Sequence, residues 1–377
     1  MKAAQPAVAE LTWARVHAFR LQRHHLARRA PRKDLARVVR DIGGAQAQLM
    51  SAAELQIAVR ADCTVADVRK ALWTDKSLVK TWLMRGTLHV ASAEELPLYC
   101  GATSRHWIRV RPSWLKYIQV SEAEFWKIVD DVSAALDGNP KTREELIAIA
   151  GSGKSARVKE LLKSGWGGML KPAARNGRLC FGPSRGQNVT FVRPADWLGW
   201  WREVDPGSAL PEVARRYLRA YGPATKTDFA RWWGAWPGIG SAAWSAIAGD
   251  LVPVSVEGTR LDMLEADLDA IGKAKIETGV QLLPAFDPYV LGHATRDHLV
   301  DRAHLAKVSR TAGWISAVVL VEGVVAGTWT HVAANGKLRV GVRPFRRLSA
   351  SVTAQVRLRA ADLARALGLD KTEVKYA

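Results

Sequence analysis

Leu78-Val79-Lys80-Thr81-Trp82-Leu83-Met84, then Arg85-Gly86, then Thr87-Leu88-His89-Val90-Ala91-Ser92 is the stretch on which the fold turns. Two β-prone runs flank a turn that contains glycine, which reads as a hairpin. Upstream, a basic helix covers about 10–28. Leu35, Val38, Val39 and Ile42 follow the i, i+3, i+4, i+7 rule, so a second helix runs from about 32 until Gly43-Gly44 weakens it. Thr64 with Asp67 is a capping signal for a third helix that continues through Trp73. Three helices followed by a two-stranded wing make the winged-helix pattern, a relative of helix-turn-helix.

The plan recurs. Ser121 and Glu124 cap a helix with Phe125, Ile128, Val129 and Val132 on its apolar face, and Pro140-Lys141-Thr142-Arg143-Glu144-Glu145-Leu146 opens another. A third helix over about 155–170 leads to a second wing at Arg178–Gly182 and Asn188–Arg193. After Trp197-Leu198-Gly199-Trp200-Trp201, a helix near 210–221 precedes Pro223-Ala224-Thr225-Lys226-Thr227-Asp228-Phe229, which matches the earlier Pro-x-Thr segment. In both, the acidic residue three after Thr predicts a capping box. A helix near 239–248 then leads to a third wing, Leu251–Val256 and Thr259–Leu264. Beyond 280, strands Ile315–Val321, Val324–His331 and Lys337–Val342 precede a helix at 360–367. The expected class is α+β, with three tandem winged-helix units (1–110, 111–200, 201–280) and a β-rich basic element (281–377).

Composition bounds the function. The 377 residues suit two or three compact units at about 150 residues each. With 48% hydrophobic and 24% charged residues, wholesale disorder is excluded. No run approaches the roughly 18 apolar residues of a membrane helix. Met1-Lys2-Ala3-Ala4-Gln5-Pro6 lacks the apolar core of a secretory signal. Cys63, Cys100 and Cys180 are too scattered for a disulfide framework, so a reducing, cytoplasmic setting is expected.

Charge is the loudest signal. Fifty-five Lys plus Arg against 36 Asp plus Glu leave +19, which attracts polyanions, nucleic acid first. From Arg15 to Arg40 nine cations meet only Asp34, and Gly323–Ala361 holds no acidic residue. Asn335-Gly336 is a hairpin turn signal. After it Leu338, Val340 and Val342 alternate with Lys337, Arg339 and Arg343, which puts aliphatics on one face of a strand and cations on the other.

Several motifs are set aside. Gly151-Ser152-Gly153-Lys154-Ser155 fits a loose phosphate-loop pattern, but the segment before it is helical, so it reads as a turn between helices. His24-His25, His293, His298 and His304 lack metal-ligand spacing and are expected at the surface, with no metal or nucleotide cofactor. Most of the 16 Trp residues read as packing.

The segment Gly43-Gly44-Ala45-Gln46-Ala47-Gln48 stands out. Residues two apart diverge on a helix but share a face in an extended segment. Both amides reach one pocket only if the helix breaks here; otherwise they are two surface glutamines. Exposed amides add little to stability, so alanine at either position is expected to leave folding intact.

Gln46-Ala47-Gln48, followed by Thr81-Trp82-Leu83-Met84-Arg85-Gly86-Thr87-Leu88-His89 and later Phe286-Asp287-Pro288-Tyr289-Val290-Leu291-Gly292, resembles the AlkZ-like (YcaQ-like, azinomycin-resistance type) family of bacterial winged-helix DNA glycosylases. The resemblance implies tandem winged helices on double-stranded DNA. It also implies monofunctional excision of cationic N7-alkylguanine, including unhooking of interstrand crosslinks, with the Gln-x-Gln element catalytic. One branch of the family has Gln-x-Asp; Gln48 matches the other. Candidate catalytic residues are therefore Gln46 and Gln48. Candidate DNA contacts are Arg85, Gly86, Thr87 and His89 of the hairpin and Lys337, Arg339 and Arg343 of the ribbon. A monomer without cofactor is expected.

The chemistry suits these residue types. N7-alkylguanine already carries positive charge, so its glycosidic bond needs no general acid. Two amides can hold a water below C1′ by donating and accepting hydrogen bonds. Neither can be a strong base, so neutral lesions should resist. A non-catalytic winged-helix transcriptional regulator would account for the charge and the wings, but would leave Gln46 and Gln48 unexplained.

Overall fold

The protein was analysed as a computed structural model, which describes residues 9–103, 110–165, 167–275 and 279–377. The amino-terminal stretch read as lacking a secretory signal lies outside these residues. Helices and sheets alternate along the chain in the expected α+β manner. Compactness divides the chain otherwise than in linear order: one unit joins Met1–Arg69 to Ala214–Ala377, and the other is Lys70–Val213.

In the first unit the opening helix is Trp13–Arg23, shorter than the 10–28 expected. Thr12 caps it by accepting from the Arg15 N–H, and residues Ala9–Leu11 form a strand instead. That strand pairs in parallel with Leu251–Val256, whose antiparallel partner is Thr259–Leu264. Val16 and Phe19 pack on Val254, Val256 and Met263 of this three-stranded sheet. The second helix, Leu35–Asp41, and the Thr64–Asp67 cap stand where the sequence put them.

A five-stranded sheet occupies the C-terminal part of the same unit. Its order is Val280–Leu283, Val318–Val321, Val324–Ala334, Lys337–Pro344 and Lys371–Tyr376. The last strand is parallel to its neighbour and the others are antiparallel. Asn335 (φ 52°) and Gly336 (φ 68°) are both left-handed, as a tight two-residue hairpin turn demands. Helix Ala350–Ala366, longer than expected because Ser349 caps it at Val352, lays Val356, Ala360 and Leu363 on Trp329, Val340 and Val342.

In the second unit the hairpin Leu78–Trp82 and Leu88–Ser92 forms as read, with Thr81 opposite His89. Ser121 and Thr142 each make a complete capping box, for helices Glu122–Ala134 and Arg143–Ala150. Hairpin Cys180–Arg185 and Asn188–Val192 takes Lys141–Thr142 as a third strand. Trp82, Phe125, Val129, Phe181 and Phe191 fill the core between these elements. Gly151–Ser155 is a turn between Arg143–Ala150 and Ala156–Lys163, with no strand before it to build a phosphate loop.

Candidate active site and nucleic-acid interface

The Gln-x-Gln segment is shaped by the two glycines before it. Gly43 (φ 69°) and Gly44 (φ 97°) are left-handed, and their N–H groups close the preceding helix onto Arg40 O (3.0 Å) and Val39 O (2.9 Å). Ala45–Gln46 is then extended, and a new helix, Met50–Ala58, starts two residues after Gln48. The helix break that the Gly-Gly pair predicts is present. The helix after it carries no readable periodicity, because Ala52 through Ala58 are all buried and no polar face remains.

The two amides differ in setting. Gln46 is 7% exposed, whereas Gln48 lies at the surface beside Leu49. The expectation that both are exposed is corrected for Gln46, which the chain folds inward. Glu54, the carboxylate of this stretch, is 3% exposed and bound by Arg69 through two hydrogen bonds of 2.7 and 3.1 Å. The segment therefore presents amides and no available carboxylate base.

Side chains distant in sequence hold this backbone. Tyr221 donates its hydroxyl to Ile42 O at 2.7 Å, pinning the turn before the glycines. Gln56, fully buried, donates its side-chain amide to Gln46 O (3.2 Å) and Ala285 O (2.9 Å). Both partners are acceptors, which fixes the amide's orientation. Arg60 then bridges Gln56 O (2.9 Å) and both oxygens of Asp287 (2.8 and 2.6 Å), and both charges are 0% exposed. Asp287 also caps the short helix Pro288–Leu291 by accepting from the Tyr289 N–H. A Cβ at Gly292 would fall 2.2 Å from the Tyr221 ring, so that position has room only for glycine. The segment Phe286–Gly292 is thus the buried brace of the Gln46 backbone. Sequence reading missed Gln56, Arg60 and Tyr221; none carries a local signal, because their partners lie far along the chain.

The histidines expected at the surface lie deeper than that: His25, His298 and His304 are half-buried. His24 and His293 are buried, and His17 and His298 stand with Trp13 and Arg20 in one cluster. Arg20, itself 2% exposed, donates to Pro223 O (2.8 Å) and to His298 Nε2 (2.9 Å), so that nitrogen must be an unprotonated acceptor. Burial, reinforced by the Arg20 charge, depresses His17 to about 3 and His298 to about 2. The two histidines are neutral and pack beside the charged Arg20. Among the described residues no group of three or more His, Cys, Asp or Glu is placed to hold a metal.

The candidate DNA contacts fall in two places, one in each unit. At the hairpin tip Arg85 (φ 57°) and Gly86 (φ 65°) are left-handed, Thr87 is extended, and all three are half-buried. His89 is 2% exposed, its Nδ1 set 3.0 Å from Thr87 O and its pKa lowered to about 3, chiefly by burial and then by Arg85. It braces the hairpin rather than facing solvent. A Cβ on Gly86 would meet Lys171 at 4.0 Å, so Lys171 is a cation beside the tip that the linear sequence hides.

On the ribbon, Leu338, Val340 and Val342 point inward while Arg339 and Arg343 are exposed, as the alternation requires. The parallel strand Lys371–Tyr376 sets Glu373 opposite Arg339. Glu373 takes Lys337 at 2.7 Å and approaches Arg339 at 3.8 Å, so the ribbon is less starkly basic than residues 323–361 imply.

A Gln-x-Gln segment braced by distant side chains, in a mixed helix-and-sheet chain of charge +19, suits a protein that acts on nucleic acid. Residues 39–366 match the DNA glycosylase AlkZ-like family. The chain is 36% identical over 375 residues to an interstrand DNA cross-link repair glycosylase of Streptomyces sahachiroi, covering 97% of this chain and 99% of that one. Its structure is similar to that of Streptomyces sahachiroi DNA glycosylase AlkZ, with a TM-score of 0.86 at 34% identity, over 98% of this chain and all of the other. The chain belongs to the AlkZ-like family and is a DNA glycosylase, a hydrolase of N-glycosyl bonds.

Proposed function

We propose that this glycosylase excises cationic N7-alkylguanine from duplex DNA and unhooks interstrand crosslinks, with Gln46 and Gln48 together holding the hydrolytic water. One observation carries the reading: an extended Gln46 backbone, locked by the Gln56 amide, next to a solvent-facing Gln48. The cationic base leaves without protonation, so the enzyme's task is to place water and tolerate positive charge at C1′. Neutral amides do this without needing a titrating base. Glu54 is engaged by Arg69, which agrees with a mechanism that uses no carboxylate.

Crosslink unhooking is named for the Streptomyces sahachiroi relative, and near-complete coverage of both chains supports extending it to this one. A base tied to the opposite strand cannot swing freely into a closed pocket. A surface-facing Gln48 suits an open site reached from the groove.

We read the helix-and-hairpin modules at 1–110, 111–200 and 201–280 as winged helices and 281–377 as a basic closing element. In this reading the protein is a monomer that works at the nucleoid without a cofactor. Arg85, Gly86 and Thr87 approach the DNA backbone, with His89 shaping their loop, and Lys337, Arg339 and Arg343 add phosphate contacts. Incubating the protein with duplex containing N7-methylguanine tests the reading. Free N7-methylguanine and alkali-labile abasic sites are expected; intact strands and no released base would overturn it.

A further inference from the structure

Three helical segments of the first unit converge on a cleft of about 440 Å³. The end of Trp13–Arg23 supplies Arg23 and, just beyond it, His25. Leu35–Asp41 supplies Arg37, Arg40 and Asp41, and Pro206–Tyr221 supplies Arg216 and Arg219. Five guanidiniums therefore line the cleft with a single lining carboxylate. That carboxylate is already shared: His25 Nε2 is 2.8 Å from Asp41, and Arg37 and Arg40 are each 3.5 Å away. Asp34 and Asp267 bind Arg37 and Arg23 but do not line the cleft.

Guanidinium forks match the paired oxygens of a phosphodiester and bind them as charge-assisted hydrogen bonds. The location narrows the source of that anion. Asp41 is five residues before Gln46, at most about 17 Å of extended chain. A DNA strand advances about 3.4 Å per nucleotide, so that reach spans about five nucleotides. The Tyr221 hydroxyl on Ile42 O (2.7 Å) ties the helix carrying Arg216 and Arg219 to the same turn.

We infer that this cleft seats a backbone phosphate of the DNA strand within about five nucleotides of the base being excised. The inference rests on the Gln46–Gln48 reading for the position of that base. It gives the cleft a role that neither the hairpin nor the ribbon fills.

The test walks a single neutral methylphosphonate along a duplex whose register is fixed by one tetrahydrofuran abasic-site analogue. Binding is compared for wild type and for Arg216→Ala with Arg219→Ala. Within five nucleotides of the analogue, one or two methylphosphonate positions should weaken wild type by about tenfold and leave the double variant unaffected. The variant's slope of log affinity against log salt should be shallower by about 0.9, one phosphate's worth. Arg216→Lys with Arg219→Lys should keep the wild-type slope. Equal sensitivity of wild type and variant at every position would overturn the inference, as would an unchanged salt slope.

A calorimetric titration with inorganic pyrophosphate separates the sources of phosphate. If the double variant loses pyrophosphate binding yet keeps wild-type DNA affinity and coupling, the cleft serves a free anion and the inference fails. Should the alanine pair not fold, the wild-type walk decides alone, and no sensitive position within five nucleotides contradicts the proposal. None of these readouts needs base excision, so failure here is distinct from failure of the N7-methylguanine assay.

Discussion

The stretch Gly43–Gln48 and the hairpin tip at Met84–Gly86 each contain two left-handed residues, yet they are held in opposite ways. The hairpin tip is closed by its own backbone: Leu83 N–H to Thr87 O (3.1 Å), Gly86 N–H to Leu83 O (2.9 Å) and Thr87 N–H to Met84 O (3.1 Å). The glutamine segment is fixed from afar, by Tyr221 on Ile42 O, Gln56 on Gln46 O, and the Arg60–Asp287 pair behind Gln56. A loop that only touches phosphate can tolerate local support. A segment that must place a water to a fraction of an ångström needs rigid anchoring from several elements. Damage should therefore spread differently from the two places.

Breaking the buried ion pair should have the largest effect. Asp287→Ala strands the Arg60 charge at a fully buried site, and losses of about 3–5 kcal/mol are usual for that. Chemical denaturation should show the midpoint falling sharply, whereas an unchanged midpoint would mean the pair braces nothing.

Acid comes next. His17, His298 and His89 are held near 3, 2 and 3, below the usual 6.5, so the unfolded chain takes up their protons first. Their stabilising contribution is complete above about pH 6.5 and declines as pH falls towards those depressed values. Each can remove up to about 1.4 kcal/mol per pH unit in that window. Melting temperature should drop between pH 7.5 and 5.5, and a flat profile would contradict the buried, neutral cluster.

Gln56→Leu sharpens the comparison at the glutamine end. It removes the donor to Gln46 O and Ala285 O and should cost about 1–3 kcal/mol. Single-turnover excision by the folded fraction should also slow, with duplex affinity retained. Glu54→Gln on the same helix loosens the Arg69 pair and leaves the Gln56 bond to Gln46 O in place, so it should affect melting more than rate.

The smallest effects belong to the cations of the hairpin tip and the ribbon. Arg85→Ala should weaken duplex binding by about 1 kcal/mol. Lys337→Ala with Arg339→Ala should lower the salt slope only slightly, since Glu373 already engages both side chains. Salt titrations identical to wild type for all three changes would place these residues outside the DNA interface.

What the sequence disclosed was mostly local. Both Pro-x-Thr capping boxes, the Asn335-Gly336 turn and the 78–92 hairpin rest on interactions between near neighbours, and each forms as read. Strand Ala9–Leu11 was hidden because its partner lies near residue 254, and Glu373 reaches the ribbon through a parallel pairing that no turn announces. The histidines misled because charge composition says nothing of burial, and burial, with Arg20 beside His298 as a lesser cause, keeps them neutral. At the candidate site the Gly-Gly break and the glutamine pair were legible. The brace of Gln56, Arg60 and Asp287 was not, since it joins residues 227 positions apart.

The central claim is that Gln46 and Gln48 act as one water-holding unit, and single-turnover excision of N7-methylguanine tests it most directly. Gln48→Ala should fold like wild type, and Gln46→Ala should lose about 1 kcal/mol because its side chain is buried. With rates corrected to the folded fraction, each should fall by about 100-fold or more, and the double variant should be scarcely worse than the poorer single. Wild-type rates in either folded variant, or losses in the double that multiply independently, would contradict the account.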